Sequence, residues 1–426
     1  MKNMKVVLRG KFLLLAACLL LAACAGGGKL RDPEAAYKHS PKTPDLIDDF
    51  PLEPMSGKTA AEYLRDENIA AGWNLGNTLE SWSNGRAGET LWGNPRVTQA
   101  LMDGVKAAGF DIVRIPVTWM GYIGEAPDHT IAESRLKRVG DVVKMAHNAG
   151  LKVIINTHHD GVTEGGLKDS GWLSIMNASY VEDEYKKISW QFARVWIQIA
   201  QYFRNYGDWL MFEPFNELHD GGWGGGTPES LAPQMETLNK WNQIFTDAVR
   251  STGGNNETRY LVYAGYCTKV EHTLADYFVL PNDSSPDRKI VSFHYYDPFE
   301  FGIAGRRPTW GTDGDKQKVE LDFAPFMERF VNNNIPVIVG ECGAVLQLYP
   351  SNPAMEENAY QSRLAYLSYI YAASKKYGMI PFYWDNGSTR GGGEKFGLFR
   401  RIDGTPNSEI SETLIKAMIQ AVKETQ

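Results

Sequence analysis

From residue 71 to the C-terminus one pattern recurs eight times: a short apolar run, a polar or glycine-rich loop, then an amphipathic stretch. We read strands over 71–76, 110–116, 151–157, 209–216, 260–264, 289–295, 335–340 and 379–384. Helices are read over 95–108, 133–149, 184–205, 232–251, 320–333, 357–377 and 408–424, with a short fifth around 273–280. In 133–149, Leu136, Val139, Val142, Val143 and Ala146 fall at helical spacing, and Gly150 follows as a stop. Strands alternating with helices require a parallel sheet. Eight is the number that closes an α/β barrel, the (β/α)8 TIM barrel, as a single domain.

The N-terminus departs from this pattern. Lys2, Lys5, Arg9 and Lys11 precede Phe12 to Ala23, an apolar stretch too short for an ordinary spanning helix and typical of an export signal. It ends Leu21-Ala22-Ala23-Cys24, which resembles a bacterial lipoprotein box. That resemblance implies removal of residues 1–23, lipidation of Cys24, and an exported lipoprotein tethered to the outer membrane or cell surface. Leu15-Ala16-Ala17-Cys18 also fits but leaves a shorter apolar core; a plain secretory signal is the alternative. Residues 24–57, with Gly26-Gly27-Gly28 and prolines at 33, 41, 44, 51 and 54, read as a flexible linker. Residues 58–426 are then the folded domain. Cys267 and Cys342 fall on non-adjacent strands and are expected as free thiols.

The active site of such a barrel lies at the C-terminal strand ends, and unusual polar residues gather there. The first strand ends Asn74-Leu75-Gly76-Asn77, the second carries Arg114, and the third ends Asn156-Thr157-His158-His159-Asp160. The fourth ends Asn216-Glu217, the sixth His294-Tyr295-Tyr296, the seventh Glu341, and the eighth Trp384-Asp385-Asn386. Alternation puts His294 and Tyr296 on one face, and likewise Val339 and Glu341. A carboxylate at the tip of a buried strand is costly unless it works there. Glu217 and Glu341 are two such groups, the pair that glycoside hydrolysis uses. A net charge of −7 with no basic run argues against a nucleic-acid partner. The chain's 12 Trp and 20 Tyr supply both core and flat rings suited to sugar faces.

Gly72-Trp73-Asn74-Leu75-Gly76-Asn77-Thr78-Leu79, Arg114-Ile115-Pro116-Val117-Thr118-Trp119, Asn156-Thr157-His158-His159, Asn216-Glu217, His294-Tyr295-Tyr296, Gly340-Glu341 and Trp384-Asp385-Asn386-Gly387 resemble glycoside hydrolase family 5. They are most similar to its subfamily 4 of endo-β-1,4-glucanases, in the same order from about residue 58 to 424. Leu218, where proline commonly follows Asn-Glu, and Cys342, where an aromatic commonly follows the nucleophile, depart from that pattern.

The resemblance implies a retaining, endo-acting hydrolase of β-1,4-glucans with carboxyls ~5–5.5 Å apart and a covalent glycosyl-enzyme. It implies Glu341 as nucleophile, held ionised by Arg114 and receiving a hydrogen bond from Tyr296. Glu217 is then the acid/base, oriented by His294. Asn216 would bind the sugar 2-hydroxyl, His158 the sugar, and Trp384 would floor the glycone subsite across a cis Trp384-Asp385 bond; Asn77 and His159 complete the expected lining. No cofactor and no metal are expected. His158-His159-Asp160 invites a metal reading, but neighbouring strand residues point to opposite faces. Glu213, inward by alternation, is expected as a structural carboxylate. The tryptophans at 92, 119, 172, 223 and 310 fall in or near loops, with two or three expected to line the cleft. The partner is a β-glucan, cellulose, mixed-linkage glucan or xyloglucan, met by a monomer. A mannanase or xylanase on the same scaffold, or a non-catalytic glycan-binding lipoprotein, are the alternatives.

Overall fold

In the computed structural model, residues 31–38, 46–161, 163, 164, 168, 169, 171–390 and 394–423 are described. The export signal, Cys24 and part of the expected linker lie outside them. Eight parallel strands close a barrel: β1 (Gly72–Leu75), β2 (Ile112–Ile115), β3 (Lys152–Asn156), β4 (Leu210–Glu213), β5 (Leu261–Ala264), β6 (Lys289–Tyr295), β7 (Val337–Cys342) and β8 (Met379–Asp385). Each pairs with its neighbours in chain order, and β1 closes against β8. The helices form the outer ring, Glu133–Asn148 among them, as read from its spacing. Cys267 and Cys342 are buried free thiols.

The barrel interior is built in layers two residues apart, because successive strand side chains point to opposite faces. Ile112, Ile154, Met211, Val262, Ile290, Ile338 and Phe382 fill a lower apolar layer. The helix Ala60–Asp66 plugs this layer from below with Tyr63 and Leu64. Thr59 and Glu62 cap it reciprocally, a signature present in the sequence but not read there. Two residues further along β2, β3 and β4 stand Arg114, Asn156 and Glu213, so apolar filling gives way to polar groups at the level where the site begins.

Two sequence-based expectations change. Residues 46–57 are no free tether. The Asp48 amide donates to the Tyr202 carbonyl at 3.0 Å, and Phe50 stacks on Tyr206 with centroids 4.2 Å apart. The Glu53 carboxylate accepts from the Gly207 amide at 3.2 Å and from the Trp209 indole. This strap satisfies polar groups of the turn entering β4. It has no period to read because most of its bonds go to distant residues. The alternation drawn through β7 also fails. Phe293 pairs with Val339, but His294 pairs with Glu341, so the register slips by one residue at Gly340. Val339 packs toward the helices, while the bulge turns Glu341 back into the barrel mouth. Cys342 therefore packs in the helix-facing core, its thiol against the Phe382 carbonyl, and forms no cleft wall.

Candidate active site

Arg114 is the hub, wholly buried at the centre of the polar layer. Its Nε donates to Glu213 Oε2 at 2.8 Å and its Nη2 to Asn216 Oδ1 at 2.8 Å. Its Nη1 donates to Glu341 Oε1 at 2.8 Å and Asn74 Oδ1 at 3.1 Å. Burial opposes the guanidinium charge, but Glu213 and Glu341 outweigh it and hold the pKa above its ordinary value. Glu213 is the expected structural carboxylate, also accepting from Asn156 Nδ2 at 2.7 Å. Because Arg114 takes the oxygen of Asn216, the amide's Nδ2 is the end left to donate.

Glu341 is held from three sides. Arg114 binds one oxygen, the Tyr296 hydroxyl donates to Oε2 at 2.9 Å, and His294 Nδ1 lies 3.6 Å from Oε2. Burial pushes the Glu341 carboxyl above the usual range, while the Arg114 charge and the Tyr296 hydrogen bond act to keep it charged. Glu217, its side chain 23% exposed, meets His294 Nδ1 at 2.6 Å through Oε1. Burial raises its pKa, and His219, Arg114 and Thr268 only partly counter this. Burial also drives His294 down to about 4, leaving it neutral at working pH. Its Nε2 has no partner among the described residues. The proton is therefore better placed on Nδ1, donating to Glu217 Oε1. That leaves Oε2 of Glu217 to carry the acid proton.

One oxygen of Glu217, one of Glu341 and a His294 nitrogen lie within 4.8 Å of one another. Among the described residues this is the one acid–histidine group spaced to suit a cation, but the adjoining Arg114 charge opposes such an ion. His158, His159 and Asp160 do not converge on a ligand set. Asp160 accepts from the Trp119 amide at 3.0 Å and the Trp172 indole at 2.8 Å, and His159 packs on Trp92.

His158 lies parallel to Trp384, with centroids 5.9 Å apart at 4°. Asn156 Nδ2 donates to His158 Nδ1 at 3.1 Å, so the neutral ring carries its proton on Nε2. Trp384 is 8% exposed, and a Cβ at Gly76 would stand only 3.0 Å from its ring. The expected cis bond is absent. The cis peptides among the described residues are Ala126-Pro127 and Asp297-Pro298, and Trp384-Asp385 is trans. Ordinary alternation from Phe382 already turns Trp384 inward, and the bare backbone of Gly76 makes room for it. Asn77, at φ 55°, is tied through its backbone, its amide donating to Glu80 and its carbonyl accepting from Asn94. Asn74, not Asn77, supplies the β1 side chain at the hub.

Asn74 and Asn156 stood in the strand-end motifs without an assigned role; their two-residue offset from the apolar layer was the available signal. Thr268, whose hydroxyl approaches Glu217 Oε1 at 3.4 Å, carried none. It and Cys267 sit at φ 50° and 53°, a turn no sequence rule reads from non-glycine residues. Of the loop tryptophans, 119 and 310 are core; 92, 172 and 223 keep exposed ring surface.

Residues 76–390 match the family described as cellulase (glycosyl hydrolase family 5). The chain is 36% identical over 392 residues to endoglucanase A of Paenibacillus barcinonensis, covering 87% of this chain and 92% of that one. It is 35% identical over 400 residues to a xyloglucan-specific endo-β-1,4-glucanase of Bacteroides ovatus, covering 86% and 75%. The solved structure of a GH5-4 broad-specificity endoglucanase from Bacteroides salanitronis superposes with a TM-score of 0.78 at 40% identity, covering 89% and 99%.

Proposed function

Since this chain belongs to glycosyl hydrolase family 5, we infer that it is an endo-β-1,4-glucanase working by retaining double displacement. The observation that carries this is the close approach of the two carboxyls around His294, with one oxygen of each within 4.8 Å of the other. Retaining enzymes hold the pair ~5–5.5 Å apart, whereas inverting ones need roughly 6.5–9.5 Å to admit a water.

Glu341 attacks the anomeric carbon as Glu217 Oε2 protonates the departing glycosidic oxygen. The new C–O bond uses up the Glu341 charge, and that loss lowers the pKa of Glu217, which has become a carboxylate. Glu217 then takes a proton from water, whose oxygen attacks the same carbon and releases Glu341. His294 keeps Glu217 Oε1 occupied, so the proton stays on the oxygen facing the leaving group. Asn216 Nδ2, its partner oxygen held by Arg114, donates to the 2-hydroxyl, a contact that strengthens at the transition state. Trp384 and His158 line the glycone side.

The substrates in this reading are β-1,4-glucan backbones, plain, mixed-linkage or xyloglucan. Relatives bearing endoglucanase, broad-specificity and xyloglucan-specific names support that breadth. Proton NMR of early products from a soluble β-glucan tests the mechanism: β-anomer appears first, and an initial α-anomer would overturn retention. The Leu21-Ala22-Ala23-Cys24 box supports an exported, Cys24-lipidated protein at the outer membrane or cell surface. Mass spectrometry of the mature N-terminus tests this; an unmodified Cys24 in protein released to the medium would refute it.

A further inference from the structure

The turn that follows β5 stands beside the acid/base, and the roles assigned above do not account for it. Cys267 and Thr268 sit in succession at φ 53° and 50°, the left-handed region that a β-branched threonine avoids. The strained turn is held from several directions. The Cys267 amide donates to the carbonyl of Leu218, the residue after Glu217, at 3.1 Å, and the Thr268 amide to the Gly265 carbonyl at 3.0 Å. The Gly265 amide donates to Thr273 Oγ1 at 3.2 Å, and a Cβ at Gly265 would lie 2.6 Å from the Thr273 backbone. Cys267 packs in the main core, and Thr268 is wholly buried. A turn that only had to leave β5 would place glycine at these angles.

The strain fixes the position of one hydroxyl. Thr268 Oγ1 lies 2.8 Å from the Cys267 carbonyl oxygen and 3.4 Å from Glu217 Oε1. A hydroxyl carries one proton and donates it to one acceptor at a time. His294 Nδ1 already meets the same Glu217 oxygen at 2.6 Å. While Glu217 is the neutral acid, Oε1 is a weak acceptor served by His294, and the shorter bond to Cys267 holds the hydroxyl. Once Glu217 is a carboxylate, Oε1 is a strong acceptor with lone-pair capacity for a second donor, and its charge draws the hydroxyl proton across.

We propose that Thr268 is a positioning residue for the acid/base, its hydroxyl turning from the Cys267 carbonyl to Glu217 Oε1 each time Glu217 gives its proton to the leaving sugar. The inference rests on the glucanase reading above. The second donor stabilises the carboxylate that acts as base in the second displacement and keeps Oε2 directed at the reacting sugar through both steps. The titratable groups facing Glu217 are Glu341 on β7, Arg114 on β2, His294 and Tyr296 on β6, His219 on its own loop, Cys267 beside Thr268, and Glu394 past β8. All of them stay in place when Thr268 alone is changed, so a displaced pH limb reports the hydroxyl.

The test is the pH profile of Thr268→Val, which keeps the branched shape and loses the hydroxyl. On a soluble β-glucan, kcat/KM needs Glu217 protonated, and removing a donor to its carboxylate raises the pH at which that proton leaves. The alkaline limb therefore moves up by roughly 0.5–1 unit. On 2,4-dinitrophenyl β-cellobioside the phenolate departs without a proton, so kcat reports the second displacement. There Glu341 is esterified and Glu217 must be ionised, so the acid limb of kcat also moves up. Thr268→Ser returns both limbs to their wild-type positions. Thr268→Gly, which suits φ 50°, melts no lower than Thr268→Val yet shows the same two shifts, and it carries the test alone where the valine variant does not fold. Limbs that stay in place in folded Thr268→Gly, or that move as far in Thr268→Ser, overturn the role of Thr268 and leave the glucanase reading standing. Wild-type protein inactive on both substrates would overturn that reading and the role of Thr268 with it.

Discussion

Replacing Tyr296 by Phe removes one hydrogen bond and almost nothing else. The hydroxyl donates to Glu341 Oε2 at 2.9 Å, while the ring packs near Phe396 at 5.8 Å and beside Trp384, contacts that Phe retains. The phenol's pKa is raised well above its ordinary value, chiefly by burial and then by Glu341, so it is a donor throughout the working range. A hydrogen bond to a charged group contributes about 1.5–3 kcal/mol net, all of it here to the ionised form of Glu341. At 1.36 kcal/mol per unit, the nucleophile's pKa rises by roughly 1–2 units in the variant. Glu341 attacks only when ionised, so the acid limb of kcat/KM moves to higher pH by that amount. One unit above the wild-type limb, activity falls to between about one half and one tenth of wild type. The plateau falls less, because the Glu341 charge is already being consumed at the transition state. The assay is kcat/KM against pH on a soluble β-glucan, with thermal melts confirming the fold. An acid limb that stays in place in a folded variant would show that Arg114 holds the charge without Tyr296, and would refute the argument.

Three further outcomes are expected. Glu217→Gln abolishes nearly all hydrolysis yet stabilises the protein. A carboxyl with a raised folded pKa gives stability present at low pH and lost as pH rises through that pKa. Gln does not titrate, so its Tm advantage over wild type grows from acid to neutral pH; an advantage that shrinks over that window would contradict the raised pKa. Gly340→Ala would put a Cβ 2.4 Å from Ser292 Oγ and 3.3 Å from His294 Nε2. It should cost about 1–3 kcal/mol in denaturant melts and reduce kcat by displacing His294, and wild-type kcat would show that the bulge tolerates a side chain. Turnover on β-glucan persists after dialysis against a chelator; loss of activity restored by a divalent ion would reopen a metal role at the Glu217–His294–Glu341 trio.

Features that depend on local period were legible from the residues alone. Alternating apolar strands and helices required a closed barrel, and the polar residues ending successive strands marked one face of it. Arg114 pointed inward because strand alternation carries it there from Ile112. Features that depend on register or on bonds between distant residues emerge only once the strands and loops are packed together. The slip at Gly340 that turns Glu341 into the mouth exists only because β7 pairs with β6 and β8 on either side. Trp384 reaches the site on a trans bond because Gly76, far away in the chain, leaves it room. The strap at 46–57 looked like linker because its hydrogen bonds go to residues some 150 positions away. Likewise, no local rule separates Trp223 from Trp310: both are tryptophans in loops, and only the packing of the loops around them leaves one in solvent and buries the other.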